Sequence, residues 1–246
     1  MTAIIIQARM GSTRLPGKIM KDLSGKPALW HVVNRVSKAK KFDQVVVATT
    51  LNPEDDLVEK FCKENNFLLY RGSSSNVLER YYETAVHYGA DTIVRITSDC
   101  PLIDPRVIDR CIEAFNKEHC DYISNCVPGG RTFPIGLETE VFSFTALKRA
   151  NKEATEDYEK EHVTPYIWEN KRKEFSIGNK VIATSDYRRP YRIGLDYPED
   201  YELMENIYKH FYRSGEIINV PEVLLFLDKH PEIVKINAHC EQKSLK

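Results

Sequence analysis

Residues 2–19 read TAIIIQARMGSTRLPGKI. The apolar run 3–6 is mostly β-branched, which suits a buried strand. Residues 7–18 follow as a polar, glycine-containing segment. Gly11 and Gly17 let backbone approach a ligand closely, and Ser12 and Thr13 add hydroxyl donors. Arg9, Arg14 and Lys18 bring three cations into this segment with no carboxylate to neutralise them. A strand that empties into such a loop is how open α/β sheets hold phosphates, at the carboxyl ends of their strands. A Walker loop needs four residues between its glycines and Ser or Thr after the lysine; here Lys18 is followed by Ile19, and GxGxxG is absent as well. A basic surface loop that binds nothing is the plain alternative. The density of glycine and cation favours a triphosphate-binding loop of another class.

Outward from that loop, the apolar spacing predicts helices over 27–39, 52–65, 77–88 and 105–117. Strands are predicted at 44–49, 67–70 and 91–97. This alternation predicts an α/β fold, a three-layer and mostly parallel sheet with right-handed crossovers. The rhythm changes near residue 121. A strand is expected at 121–125, a Gly/Pro loop at 127–136 and a strand at 138–142. Helices follow at 145–151, 156–169, 198–212 and 221–229, with further strands at 174–184 and 191–195. Residues 1–246 read as a single domain, with 128–188 as a small α+β insertion on the sheet.

With 42% hydrophobic and 29% charged residues the chain has the composition of an ordinary globule. A formal net charge of −1 speaks against nucleic acid as a partner. No apolar run is long enough for a membrane span or a signal-peptide core, so a cytoplasmic location is expected. The six cysteines show no CxxC pair and are expected to be reduced and mostly buried.

Two carboxylates carry the chemistry. Asp99 follows the strand 91–97 and is expected at the sheet's carboxyl rim, where it can bind Mg²⁺. Its alternative role is helix capping, which Asp104, directly before Pro105, fits better. Asp196 lies between an apolar segment and a helix start at Pro198, so capping competes with metal binding there.

The string QARMGSTRLPGK at 7–18 resembles the signature of the cytidylyltransferases that make CMP-activated sugar acids, among them the CMP-Kdo and CMP-sialic acid synthetases. Its wording is closest to the spore coat polysaccharide biosynthesis protein F type. The resemblance implies a nucleotide-diphospho-sugar transferase (GT-A-like) fold and a Mg²⁺-dependent transfer of CMP from CTP with release of pyrophosphate. It also implies that Asp99 and Asp196 hold the metal jointly, because that family carries an aspartate just before a Pro-Glu-Asp helix start. Arg9, Arg14 and Lys18 then hold the β- and γ-phosphates, helped by backbone amides of residues 11–13, with Gln7 and Ala8 also against the nucleotide. The base falls to Arg71, Ser73 and Asn76 on one side and Thr97 and Ser98 on the other. Where CMP-Kdo synthetases have glutamine and glycine this chain has Thr97 and Ser98, and the turn before residue 80 differs too, so cytosine, uracil and guanine stay open. Arg80 corresponds to an arginine of that turn; a surface ion pair with Glu79 or Glu83 is its alternative.

The insertion is expected to hold a sugar or sugar-acid acceptor through Arg131, Glu138, Glu140 and His162, joined by Arg192 from the strand that leads to Asp196. Each has a plainer explanation: a solvated strand face for the two glutamates, a helix-surface imidazole for His162, local ion pairs for the arginines. A homodimer is implied by the resemblance alone. Two other functions remain open. One is a nucleotide-sugar glycosyltransferase of the same fold, although residues 98–101 supply only one acid of the usual Asp-x-Asp pair. The other is a non-catalytic nucleotide-binding protein of polysaccharide assembly.

Overall fold

The computed structural model describes residues 1–242. β1 (Thr2–Gln7) lies at the centre of a six-stranded sheet because its side chains are apolar on both faces. Ile4 and Ile6 enter one core and Ala3 and Ile5 the other, the two-residue period of a strand buried on both sides. A two-stranded ribbon, β2 (Asp22–Leu23) and β3 (Lys26–Pro27), leads to α1 (Ala28–Val36). β4 (Gln44–Thr50), α2 (Asp56–Glu64), β5 (Leu68–Gly72), α3 (Val77–His87), β6 (Thr92–Thr97) and α4 (Pro105–Glu118) continue the alternation. Asp104 caps α4, accepting the Arg106 amide at 2.9 Å, and so takes the capping role that Asp99 might otherwise have filled.

β1, β4, β5 and β6 are parallel; β7 (Tyr122–Ser124) and β8 (Glu140–Ser143) complete the sheet, in the order β5-β4-β1-β6-β8-β7. β8 runs antiparallel to both its neighbours, so the segment 128–188 contributes a strand between β6 and β7 of the main sheet. β1 has β4 on one side and β6 on the other, with Gln7 opposite Thr97. The chain order reverses there, and the loops after β1 and β6 leave the same rim, where open α/β sheets bind ligands.

The remaining elements are α5 (Phe144–Glu153), α6 (Asp157–His162), α7 (Pro165–Glu169), α8 (Pro198–Phe211), α9 (Val220–Lys229) and α10 (Pro231–Val234). α1, α4, α8 and α9 cover one face of the sheet, α3 and α5 the other. Among the described residues no helix is long and apolar enough to cross a membrane. Five cysteines are buried as free thiols and Cys240 is half-buried.

Three expected elements take other forms. The helix expected over 156–169 breaks into α6 and α7 at Val163 and Thr164, because Pro165 lacks an amide hydrogen and disfavours a helical residue before it. Residues 174–184 track β7 irregularly, with one bridge between Tyr122 and Ile177; Gly178 there packs so tightly on Cys120 that a Cβ would sit 2.8 Å from its Sγ. Residues 191–195 likewise keep one bridge, Ile135 to Arg192.

The last segment matters because it delivers Asp196. The Ile193 amide donates to the Ile135 carbonyl at 2.8 Å, and the Leu195 amide donates to the Asp99 carbonyl at 2.8 Å. Gly136 makes this approach possible: its φ is +105°, and a Cβ would stand 2.5 Å from the Ile193 carbonyl oxygen. Gly136→Ala should therefore destabilise the fold by more than the ~1 kcal/mol of an ordinary left-handed site. It should also weaken nucleotide binding, because residues 193–196 would be pushed from the rim. Urea unfolding read beside nucleotide titration checks both effects.

Candidate active site

A cavity of about 840 Å³ opens at the carboxyl rim of β1 and β6. It is bounded by the loop after β1, by residues 97–100, by the turn at 135–140, by 161–165 and by 194–196. That size suits a nucleotide-sized ligand.

Lys18 stands at its centre. Gly17, in the left-handed region at φ 64°, turns the chain so that Lys18 starts a short 3₁₀ turn. The Lys18 ammonium lies 2.7 Å from Asp99 Oδ2 and 2.8 Å from Asp196 Oδ1. Burial alone would lower the pKa of this ammonium, but the two carboxylates outweigh it and the pKa is raised. Burial would raise the pKa of the Asp99 carboxyl, and Lys18 drives it the other way, below the ordinary carboxylate range. Lys18 and Asp99 therefore hold each other charged at neutral pH.

Asp196 is surrounded by cations. Arg14 reaches its Oδ1 at 3.3 Å while lying over the Tyr197 ring, and Arg192 donates to its Oδ2 at 2.9 Å. It does not cap α8. Asp200 does that work, accepting the amides of Asp196 and Tyr197 at 2.9 and 3.0 Å. Asp200 is fully buried and also pairs with Arg192 and accepts from Asn237.

Arg80, on the buried side of α3, is the second charged landmark. It lines the same cavity and is 1% exposed. It is no surface ion pair: its Nη1 donates to the Ser73 carbonyl at 2.5 Å, its Nε has no partner, and no carboxylate among the described residues forms an ion pair with it. Burial, with Arg9 adding to it, pushes its pKa down to about 10. A buried guanidinium without a counter-charge is unstable by itself, and an anionic ligand relieves it.

Cavity, cationic loop and buried guanidinium together offer room and positive charge for a phosphate-bearing ligand, and the paired carboxylates offer hard oxygen donors. A cytidylyltransferase family model matches residues 3–218. The chain belongs to the cytidylyltransferase family. It is similar to an uncharacterized protein, MJ1063, of Methanocaldococcus jannaschii, at 38% identity over 98% of this chain and 96% of that one. It is also similar to the spore coat polysaccharide biosynthesis protein SpsF of Bacillus subtilis, at 34% identity over 93% and 94%. Among solved structures, a cytidylyltransferase from Leptospira borgpetersenii superposes with a TM-score of 0.86 and 32% identity, covering 99% of this chain and 98% of that one. The family resemblance of residues 7–18 is thus confirmed, and with it the three-layer α/β fold.

In this cytidylyltransferase the cavity gathers Gln7, Ala8, Arg9, Gly11, Ser12, Thr13, Arg14, Lys18, Thr97, Ser98, Asp99 and Asp196, all named from the sequence. One detail differs: the Ser12 amide donates to the Met10 carbonyl at 2.9 Å, so it is engaged within the loop. Arg71, Ser73 and Asn76 do not line the cavity. Arg71 is held by Asp56 at 2.7 Å and Glu59 at 2.5 Å, the Ser73 hydroxyl accepts the Asn76 amide, and Asn76 caps α3 through the Glu79 amide. These three build the turn that carries Arg80 to the cavity.

On the far wall, Arg131, Glu138, Glu140 and His162 line the cavity as expected. Glu138 precedes β8, so the two glutamates do not share a strand face. Glu138 pairs with Arg131 and accepts the Gly136 amide at 2.8 Å; Glu140 is buried and holds Arg95, Tyr122 and Thr164. Arg192 is absent from the wall, its guanidinium being engaged behind Asp196. Arg95, Glu161 and Thr164 line the cavity without having been singled out from sequence as separate contacts. Arg95 sits mid-strand in an otherwise apolar run, an inward charge that a strand tolerates only when paired, and that was the available signal.

Replacing Arg80 separates its binding role from its structural cost. Arg80→Met should leave the urea midpoint unchanged or higher and weaken CTP binding at least tenfold, about 1.4 kcal/mol. Parallel unfolding and calorimetric titration check this; a large loss of stability with unchanged affinity would contradict it.

Proposed function

We propose that this cytidylyltransferase transfers CMP from CTP to a sugar or sugar-acid hydroxyl and releases pyrophosphate, with Mg²⁺ as its cofactor. The assembly of cell-surface or spore-coat polysaccharide is the setting this reading implies. One observation supports it above the others: two carboxylates from separate segments, Asp99 and Asp196, close around a single cationic atom at the rim where the cationic loop begins. A position at which two carboxylate oxygens share one cation matches the oxygen donor set of a hard divalent ion, so these residues fit Mg²⁺. When bound there, Mg²⁺ supplies neutralisation of charge on the α-phosphate and the departing pyrophosphate.

The protein's own groups do the rest. Arg9, Arg14 and Lys18 take the β- and γ-phosphates, leaving Asp99 and Asp196 to the cation, and Arg80 gains the anionic partner that the fold withholds. A phosphate between these groups presents its α-phosphorus toward the wall of Glu138, Glu140 and His162. The acceptor hydroxyl oxygen forms the new bond to the α-phosphorus as the bond to the α–β bridging oxygen breaks; pyrophosphate leaves with that oxygen, and the hydroxyl proton passes to water. Preorganised cations steady the leaving group, which is where such a transfer gains most. A homodimer in the cytoplasm belongs to the same reading, and its dimeric state rests on resemblance. The Asp-x-Asp pair of a glycosyltransferase finds no support in residues 98–101, whose one acid is Asp99.

Thermal unfolding with Mg²⁺ and each of CTP, UTP, GTP and ATP tests the nucleotide. At about a hundred times Kd, CTP should raise Tm by roughly 5–10 °C and the others far less, with the shift lost in Lys18→Ala. Equal shifts for all four would overturn base selectivity. The same assay without nucleotide tests the metal site. Lys18→Met removes the ammonium that an ion must displace, so Mn²⁺ alone should raise Tm more in this variant than in the wild type. A smaller shift would place the metal elsewhere.

A further inference from the structure

The cavity wall formed by residues 161–165 contains a backbone corner that the sequence strongly resists. Val163 lies at φ 71°, ψ −54°, and the Thr164 amide donates to the His162 carbonyl at 2.8 Å. Those values and that bond define a γ-turn of the rare form, uncommon for any residue and least expected for a β-branched one. Its neighbour adds to the strain: Thr164 is near-helical, at φ −100°, ψ −12°, although Pro165 follows and disfavours that region. Two adjacent residues in sparsely populated conformations persist only where the surroundings over-determine them.

The surroundings do so here. The Val163 side chain is fully buried in the core on the α3 and α5 face. The Thr164 hydroxyl donates to Glu140 Oε2, and Glu140 is itself held by Arg95 and by the Tyr122 hydroxyl at 2.6 Å. The corner changes what faces the cavity. In a continuous helix, residues 162 and 164 point about 160° apart around the axis. Broken at Val163, the chain turns Glu161, His162, Thr164 and Pro165 all onto the cavity wall.

We infer that residues 161–164 form the specificity-determining element for the acceptor, with Val163 and Thr164 as positioning residues and Glu161 and His162 as the groups that read a polyhydroxylated ligand. This rests on the acceptor reading above and deepens it. The ligand class follows from charge. Arg131 pairs with Glu138, and Arg95 pairs with Glu140. Each pair sets donors beside acceptors along this wall, which complements hydroxyl groups, since every hydroxyl both donates and accepts. The wall so built differs from the opposite one, where Arg80 awaits an anion.

Two measurements test the inference. The first needs no acceptor. Glycine adopts φ 71° freely, whereas alanine keeps the strain, so the urea midpoint of Val163→Gly should equal or exceed that of Val163→Ala, the reverse of the usual order. A glycine variant clearly less stable than the alanine variant would remove the strain and overturn the inference. The second follows pyrophosphate release from CTP with four acceptors: an eight-carbon and a nine-carbon sugar acid, a neutral hexose and a hexose 1-phosphate. With the best of these, His162→Ala and Val163→Gly should raise the acceptor KM roughly tenfold or more and leave the CTP KM within about twofold. A wild-type enzyme that binds CTP and uses none of the four would overturn the acceptor reading beneath the inference. An active wild type whose acceptor KM is unmoved in His162→Ala would overturn the role of the corner alone.

Discussion

Two aspartates brought to one point repel each other, and the arrangement of this molecule follows from how that repulsion is balanced. Asp99 arrives at the end of β6 and Asp196 from a segment almost a hundred residues later, joined by the backbone bond from Leu195 to Asp99. Lys18 closes the gap from a third segment. Each of the three would be costly to hold there without the others, because a partly buried charge needs a partner. The depressed Asp99 and raised Lys18 pKa values express the same coupling. Behind them Arg192, Asp200 and Asn237 fix the far side of Asp196 from the core, so its carboxylate is aimed by groups that never meet solvent directly.

The two sides of the cavity are built on opposite electrostatic plans. Toward α3, Arg80 is buried and lacks an ion-pair partner among the described residues, and Arg9 adds to the positive field around it. Toward β8, every guanidinium on the wall has its carboxylate. The first side favours an anion strongly and discriminates little by shape. The second has no large net field and must select by hydrogen-bond geometry, which demands rigid placement. The strained corner at Val163 and the close approach at Gly136 both lie on that second side.

Most of the parallel half of the fold was legible because its signals are local. Residues 3–6, 44–49 and 91–97 are apolar runs of strand length, and Asp104 and Pro105 mark a helix start. That Arg9, Arg14, Lys18 and Asp99 share one cavity was legible for the same reason, since they lie on the loops that leave β1 and β6. Arg71, Ser73 and Asn76 misled because a polar turn looks alike whether it binds a ligand or builds itself; here it builds itself and delivers Arg80. Arg192 misled for a related reason, since an exposed arginine cluster and a buried ion-pair network share one composition. The break in 156–169 was visible in Pro165, yet the apolar spacing outvoted it.

What escaped sequence reading is concentrated on the cavity wall beside β8, and the cause is physical. Strands and helices satisfy their own backbone and announce themselves by period, whereas 126–139, 163–164 and 174–195 are held by side chains distant in sequence. Asn125 fixes the Leu137 carbonyl and Thr139 amide, Asp121 the Ser176 amide, and Glu140 the Thr164 hydroxyl. Such a wall can change its contacts by altering a few long-range pairs while the sheet and its nucleotide rim stay as they are. Irregular segments on a regular scaffold are where ligand contacts can change without altering the fold. The strain at Val163 fits it too: a corner held by its surroundings yields to substitution in those surroundings without unfolding β1 or β6.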